Sequence, residues 1–501
     1  MRYGFVIDHH SCIGCHACTV ACKSENQVPV GDFRTWVKYT EIGSFPAIRR
    51  HFAVLRCNHC SNAPCVKICP VNALEKRDDG IVDLDRDACI GCKACMQACP
   101  YDAIYLNDDS GAAEKCHYCA HRIEQELEPA CVTVCPERAI IAGDLDDPES
   151  EIAQLAGREE ATVRRPEQGT GPNVVYLGAD PVSLKPGTAS EPSTYLWSER
   201  REPPPDYPED TPLYPEARTV LDVNHRVHWG GKVSAYLVTK GIAAGAAMLA
   251  PFAGRLGASG FALDWLPEIL ALLFTAITTV LLVADLKRPG KFLSLMLRPN
   301  TGSWLVKGAW VLMGFSTLCA AILACRWWGQ DDLANSLRWP NLFLGAMAAG
   351  YTAFLFAQSE GRDLWQDTRM LLPHLLVQAI MLGSAALLPF VDTVGMAAIL
   401  CASILVHMLF AVAETRRTHE TDNARLAASL LTRIPAWPGS DVMGFRMSMQ
   451  LNVLVVVVVL AVCLTGHITP VVAVPLVCFT AFAAYHYEQV WLRAGQLPPL
   501  S

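Results

Sequence analysis

Sixteen of the 21 cysteines lie in four groups of four within the first 135 residues. They are Cys12, Cys15, Cys18 and Cys22; Cys57, Cys60, Cys65 and Cys69; Cys89, Cys92, Cys95 and Cys99; and Cys116, Cys119, Cys131 and Cys135. Proline follows three of the groups directly, at Pro70, Pro100 and Pro136. In the bacterial two-cluster pattern, three closely spaced thiolates hold one iron–sulfur cubane while the fourth crosses to its neighbour. Four groups therefore imply four [4Fe–4S] clusters and a path for single electrons. Structural zinc would not call for the third close cysteine or the trailing proline. A disulfide framework would need an exported domain. The other five cysteines (Cys319, Cys325, Cys401, Cys463 and Cys478) stand singly in apolar stretches, where a thiol behaves as a small hydrophobe.

The elements that must hold these thiolates are short and repeated. Phe5-Val6-Ile7-Asp8 precedes the first group and Ile81-Val82-Asp83-Leu84-Asp85 the third. Each is an apolar strand, an acidic turn and a cysteine loop with a glycine, Gly14 or Gly91, inside it. The glycine allows a tight turn, so that amide groups approach the cluster sulfurs and raise the reduction potential. Ala-Ile-Tyr-Leu after the third group and Ala-Ile-Ile-Ala after the fourth read as return strands, which predicts a ferredoxin-like α+β repeat. From Asp144 to about Lys232 the composition is acidic and proline-rich, as in a loop or linker on the surface.

Beyond residue 230 the chain changes character. Of its 501 residues 51% are hydrophobic, and apolar runs recur at roughly 234–253, 266–284, 303–325, 341–358, 370–390, 394–413, 450–468 and 470–486. Each approaches the ~20 residues that cross a bilayer, and Trp265, Trp304 and Tyr485 sit at the ends of runs as interface anchors do. The expected architecture is an α+β ferredoxin-like double two-cluster domain (1–190), a linker (191–232) and an all-α eight-span helix bundle (233–501). Eight spans place the cluster domain, the even-numbered loops and the C-terminus on one side. Lys287, Arg288, Lys291, Arg298, Arg362, Arg369, Arg416, Arg417, Arg425, Arg433 and Arg446 fall there, against Arg255, Arg326 and Arg338 opposite. The positive-inside rule then predicts clusters on the cytoplasmic face of the inner membrane. The N-terminus shows no charged and apolar leader and no twin arginine, which agrees. A net charge of −8 argues against nucleic acid as partner.

Ionisable groups inside spans are expensive and functional by default. Tyr236 and Lys240 lie one turn apart in the first run, Asp285 closes the second, and Tyr351 is late in the fourth. His374 is early in the fifth and His407 late in the sixth. Alternating topology sets all six toward the cluster side. Together they could donate hydrogen bonds to the oxygens of a lipid-soluble quinone and exchange its protons. Glu268 and His467 fall near the opposite face, with no path joining them.

These residues carry a resemblance. The first ~180 residues resemble the four-cluster electron-transfer subunit of the DMSO-reductase (molybdopterin) superfamily. The match rests on the Cys-x2-Cys-x4-Cys-x3-Cys-Pro second group, the long Cys119-to-Cys131 gap and Gly171-Pro-Asn-Val-Val-Tyr-Leu177. From about 230 the chain resembles the NrfD/polysulfide-reductase type of membrane quinone subunit. Here the matching segments run from Tyr236 to Gly245, from Asp285 to Phe292 and from Gly350 to Phe354. The resemblance implies four ligand sets: Cys12/Cys15/Cys18/Cys135, Cys22/Cys116/Cys119/Cys131, Cys57/Cys60/Cys65/Cys99 and Cys69/Cys89/Cys92/Cys95. It places the last set nearest the membrane, gives Tyr351 the position of a quinone-site tyrosine, and needs no haem. Tyr236 stands about where one relative type has a histidine. The chain fuses what are usually two polypeptides.

The expected function is therefore the electron-transfer and membrane-anchor subunit of a respiratory oxidoreductase. Its partners would be a catalytic subunit holding molybdopterin with molybdenum or tungsten, the membrane lipid, and a pool of menaquinone or ubiquinone. Polysulfide, thiosulfate, tetrathionate, sulfite and formate all remain open as the catalytic subunit's substrate. The rival reading is an energy-converting quinol-oxidising assembly like alternative complex III.

Overall fold

The computed structural model describes residues 1–190, 216–223, 226–391, 394–437, 440–465 and 469–500. Strand β1 (Tyr3–Asp8) pairs antiparallel with β8 (Ile140–Asp144) and parallel with β10 (Val174–Leu177), which in turn carries β9 (Ala161–Thr162). Strands β2 (Thr35–Ile42) and β3 (Arg49–Arg56) form a hairpin that β11 (Ala217–Leu221) extends. Two small ribbons complete this half: β4 (Leu74–Lys76) with β5 (Val82–Leu84), and β6 (Ile104–Leu106) with β7 (Ala113–Lys115).

The internal repeat read from the sequence has a backbone counterpart. Gly14 and Gly91 both adopt φ 69, and the residue two positions on is left-handed in each loop, His16 at φ 62 and Lys93 at φ 64. Non-glycine residues seldom adopt this conformation, and they persist where surrounding structure holds them. Short helices then start at Ala17 and Ala94. The return strands after the third and fourth groups are β6 and β8.

One stretch folds where its composition suggested loop. Between Asp144 and Ser190 lie a helix at Glu151–Ala156, capped by Ser150, and the strand β10. Val174 and Tyr176 are completely buried against β1, so four apolar residues outweigh their polar, glycine- and proline-rich flanks. Of the segment 191–232, β11 joins the β2–β3 sheet, and residues 191–215 lie outside the described residues.

Among the described residues eight helices are long and apolar enough to cross a membrane: Gly231–Phe252, Leu266–Asp285, Trp304–Trp327, Asp331–Ala357, Thr368–Phe390, Val394–Arg416, Gly444–Leu464 and Pro470–Gln496. Two exceed their apolar runs by ten residues. The fourth begins ten residues earlier, where Arg338 is neutralised by Glu268 of the second span. The eighth continues past Glu488 and Arg493 because its last turns dock into the cluster domain, where Gln496 and Gln97 are hydrogen-bonded at 2.9 Å. Hydropathy stops at such charges although the helix does not.

The first span is the core of the bundle, with 83% of its apolar window buried against 28% for the third and seventh. It can be so because of Gly241-Ile-Ala-Ala-Gly245, a small-xxx-small face. A Cβ on Gly245 would strike the Ala379 carbonyl of the fifth span, and one on Gly383 would strike Gly245 itself. We expect Gly245→Val to destabilise the membrane half by about 1–3 kcal/mol or more through overpacking. Thermal unfolding in detergent should show it, and an unchanged midpoint would contradict this packing.

Candidate functional site

The cluster loops bring the thiolates together in sets. Cys12, Cys15, Cys18 and Cys135 line one small cavity, and Cys22, Cys116, Cys119 and Cys131 line another. Cys60, Cys65 and Cys99 each feel the charge of Cys57, and Cys92 and Cys95 that of Cys69 and Cys89. Burial, with a contribution from like-charged neighbours, pushes the Cys60, Cys92 and Cys116 thiols up to about 12. Such thiols become thiolates when a cationic centre displaces their protons.

The surroundings fit iron–sulfur clusters. Backbone amides aim at sulfur: Ala73 at Cys69 (3.3 Å), Gly91 at Cys89 (3.4 Å) and Ala139 at Cys135 (3.2 Å). The Asn26 amide lies 3.7 Å from Cys22 and 3.8 Å from Cys119. Among the described residues no three His, Cys, Asp or Glu side chains converge on one ion. A four-iron cluster takes one thiolate per iron, so its ligands stand apart. All 21 cysteines are free.

The cluster domain is clamped onto the membrane half through the Cys65–Cys69 and Cys89–Cys95 loops. Lys93 reaches down to Asp285 at the end of the second span (2.8 Å), both largely buried. The backbone amides of Lys287 and Arg288 donate to the Gly91 and Ile90 carbonyls, and the Arg288 guanidinium to those of Ser110 (2.7 Å) and Cys89 (3.2 Å). Lys287 also pairs with Asp108, and that hydrogen bond holds the Asp108 carboxyl below its usual range. Asn300 donates to the Cys69 carbonyl (2.8 Å) and Ser303 to that of Ile68 (2.7 Å). Farther round, Arg362 binds Gln97 (2.9 Å) and the Gln496 carbonyl (3.0 Å). Trp229, Trp365 and Trp491 stack beside this joint, and Trp229 donates to the Cys92 carbonyl (3.4 Å).

Beneath the joint lies a cavity of about 600 Å³. Its walls are apolar (Leu282, Leu286, Phe292, Leu295, Leu312 and Leu355 among others), and its polar groups include Tyr236, Thr275, Asp285 and Tyr351. Cys92 forms part of the same wall. This is the composition of a site for a mostly apolar ligand with a few polar contacts.

The six polar residues singled out from the sequence are thereby divided. Tyr236, Asp285 and Tyr351 line the cavity. Lys240 does not; it sits behind, 4.7 Å from the Tyr351 ring centre, donating to Thr352 and to the Ala349 carbonyl. His374 and His407 share a 2.8 Å hydrogen bond elsewhere, between Phe410 and Tyr487, and neither lines the cavity. Helical spacing could place all six at one depth but not around one axis. The Tyr351 ring is fixed by packing on Gly308, where any Cβ would collide with it.

Sequence reading passed over Lys93, Trp229 and Glu488. Lys93 and Trp229 looked like a loop residue and a linker residue, and only the docking gives them partners. Glu488 is buried, interacts electrostatically with Lys240 and reaches Gln378. It lies just beyond the last apolar run, outside the reach of the rule for charges inside spans.

The Lys93–Asp285 pair should carry measurable docking energy. Lys93→Met leaves a largely buried carboxylate unpaired, at a cost of about 1–3 kcal/mol. Asp285→Asn in that background should add little, giving a coupling of at least ~1 kcal/mol in a double-mutant cycle read by thermal unfolding. Strictly additive losses would contradict the ion pair.

Known proteins match the two halves of the chain separately. Residues 219–478 match the family described as polysulphide reductase, NrfD. Residues 48–145 match a 4Fe-4S dicluster domain, and residues 9–30 a 4Fe-4S binding domain. The B subunit of tetrathionate reductase from Salmonella typhimurium is 46% identical over 190 residues, covering 37% of this chain and 76% of the relative. The arsenate respiratory reductase iron-sulfur subunit of a Shewanella species is 37% identical (35% and 96% covered). The thiosulfate reductase electron transfer subunit of Salmonella typhi is 43% identical (35% and 91%). With cluster loops in its first third and eight long apolar helices thereafter, the protein is a member of the iron–sulfur electron-transfer subunits of this reductase group and, in the same polypeptide, of the NrfD family of membrane subunits.

Proposed function

We propose that this chain carries electrons between a catalytic subunit containing molybdopterin and a membrane quinone, menaquinone or ubiquinone, through four [4Fe–4S] clusters. The observation that carries the reading is the wall shared by Cys92 and the cavity of Tyr236, Asp285 and Tyr351. The ligand sets are Cys12/Cys15/Cys18/Cys135, Cys22/Cys116/Cys119/Cys131, Cys57/Cys60/Cys65/Cys99 and Cys69/Cys89/Cys92/Cys95. The first two are supported by their common cavities and the others by their mutual electrostatics. When bound, the clusters supply one-electron steps, and a quinone supplies a two-electron, two-proton couple.

This chain's own residues supply position and protons. Cys92 brings the last thiolate to the cavity wall. Tyr236 and Tyr351 present hydroxyls to a carbonyl-bearing ligand, and the carboxyl oxygens of Asp285, held in place by Lys93, exchange protons with it. Lys240 acts behind Tyr351 by its charge on the ring. His374 and His407 belong to a second layer of buried polar groups with Tyr487. The apolar walls exclude water between electron steps.

The protein is a multi-pass membrane protein. We place its cluster domain in the cytoplasm on the bias of loop charge. Arg288 and Arg362 within that bias also bind the cluster domain directly. For the rival reading as a proton-translocating assembly, Glu268 was one of two candidate groups at the far face. It is closed into a buried bidentate pair with Arg338 (2.7 and 2.8 Å), while His467 lies outside the described residues. That pair favours a simple quinone-linked wire.

The test is the detergent-extracted native complex. Iron should reach about sixteen per chain, with molybdenum or tungsten in a larger partner subunit. Clusters reduced by dithionite should be reoxidised by a short-chain quinone. Ala309 lies in the cavity wall, and Ala309→Trp, which fills the cavity, should slow that step at least about tenfold by displacing the ligand, without loss of iron. Reoxidation at the wild-type rate in Ala309→Trp would overturn the assignment of the cavity.

A further inference from the structure

The last residue of β3, Arg56, has no part in the wire as described, yet it is completely buried. Its Nη1 donates to Cys131 Sγ at 3.2 Å. Its Nε and Nη2 are buried with no partner, and its guanidinium carbon lies 4.4 Å from the centre of the Phe5 ring. Cys18, Cys22 and Cys116 all feel its charge. Cys18 belongs to one thiolate set and the other three sulfurs to the next, so the cation stands between two sets. A buried guanidinium with two idle donors is costly unless a neighbouring anion compensates it. Four thiolates carrying a cluster are such an anion.

We propose that Arg56 is the residue that sets the reduction potential of the cluster held by Cys22, Cys116, Cys119 and Cys131, holding it above the value its burial alone would give. Adding one electron makes the cluster more negative by one charge, and a fixed cation beside it favours that state. Arg56 keeps its proton throughout, because guanidinium does not titrate in this range. The step is therefore one electron in and no proton in, and its midpoint is independent of pH. Arg56 is a positioning residue: it touches a ligand sulfur and no substrate.

The inference rests on the proposed ligand sets, and redox-poised EPR of the full complex, with iron counted in each sample, separates the two. Arg56→Gln keeps a donor but removes the charge. It is expected to retain iron and to lower the midpoint of this cluster most, with a smaller fall at the Cys12/Cys15/Cys18/Cys135 cluster, whose Cys18 also feels the charge. The ratio of reduced to oxidised cluster at a fixed potential should fall about tenfold, or about 59 mV for one electron. The membrane-proximal cluster should not move. Arg56→His places a titrating group at the same point, so its midpoint should fall as pH rises through the histidine range while the wild-type midpoint stays level. This arm holds even if Arg56→Gln fails to assemble. A full iron complement with the wild-type midpoint in Arg56→Gln, or a flat profile at the wild-type midpoint in Arg56→His, overturns the inference alone. A wild-type complex with no cluster signal from this set overturns the ligand sets and the inference with them.

Discussion

Everything in this molecule depends on the contact between the Cys89–Cys95 loop and the end of the second span. An electron leaving the last cluster must find its acceptor close by, so the joint between two dissimilar halves has to be tight and dry. Lys93 supplies the attraction, through Asp285. The amides of Lys287 and Arg288 supply register by bonding to the loop's own carbonyls. Gly91 allows the approach, since a Cβ there would meet Lys287 and the Gly111 carbonyl. Asn300 and Ser303 repeat the arrangement on the Cys65–Cys69 loop. Fusion into one chain makes this docking an intramolecular event, which raises the effective concentration of one half at the other without any new contact.

The repeat within the cluster domain shows how one backbone serves two tasks. The left-handed position after the second cysteine is His16 in the first loop and Lys93 in the third. His16 bonds to Tyr39 (2.9 Å) within the cluster domain, whereas Lys93 extends to the membrane half. The backbone around each cluster is kept, and the side chain at one strained position decides whether the loop closes on its own domain or docks elsewhere. Cys15 beside His16 is exposed, while its counterpart Cys92 beside Lys93 is half-buried at the joint. The two loops thus differ in solvent access as well as in partner.

Much of this was legible in the residues. Thiolate spacing is a covalent-geometry constraint and reads directly, and eight spans follow from apolar length. Charges that are satisfied by tertiary contact mislead the same rules. Arg338 and Glu488 truncated two apolar runs because hydropathy counts a charge without its partner. The six-residue polar group illustrates a second limit. Depth in a membrane comes from sequence position, but azimuth around the bundle comes from packing, here the Gly245–Gly383 contact and the seat of Tyr351 on Gly308. Three of the six therefore reached the cavity and three did not. The strand β10 was hidden for a simpler reason: four apolar residues carry little periodicity, and only the edge of β1 gives them a place.

The central claim is that the last cluster and the cavity share a wall. It is tested most directly by spin-relaxation measurements on a nitroxide-bearing quinone analogue bound to the purified protein. The relaxation of the label should quicken sharply when the clusters are reduced, because a paramagnetic cluster at Cys69, Cys89, Cys92 and Cys95 then adjoins it. Identical relaxation in the oxidised and fully reduced protein, with the analogue bound in both, would contradict the account.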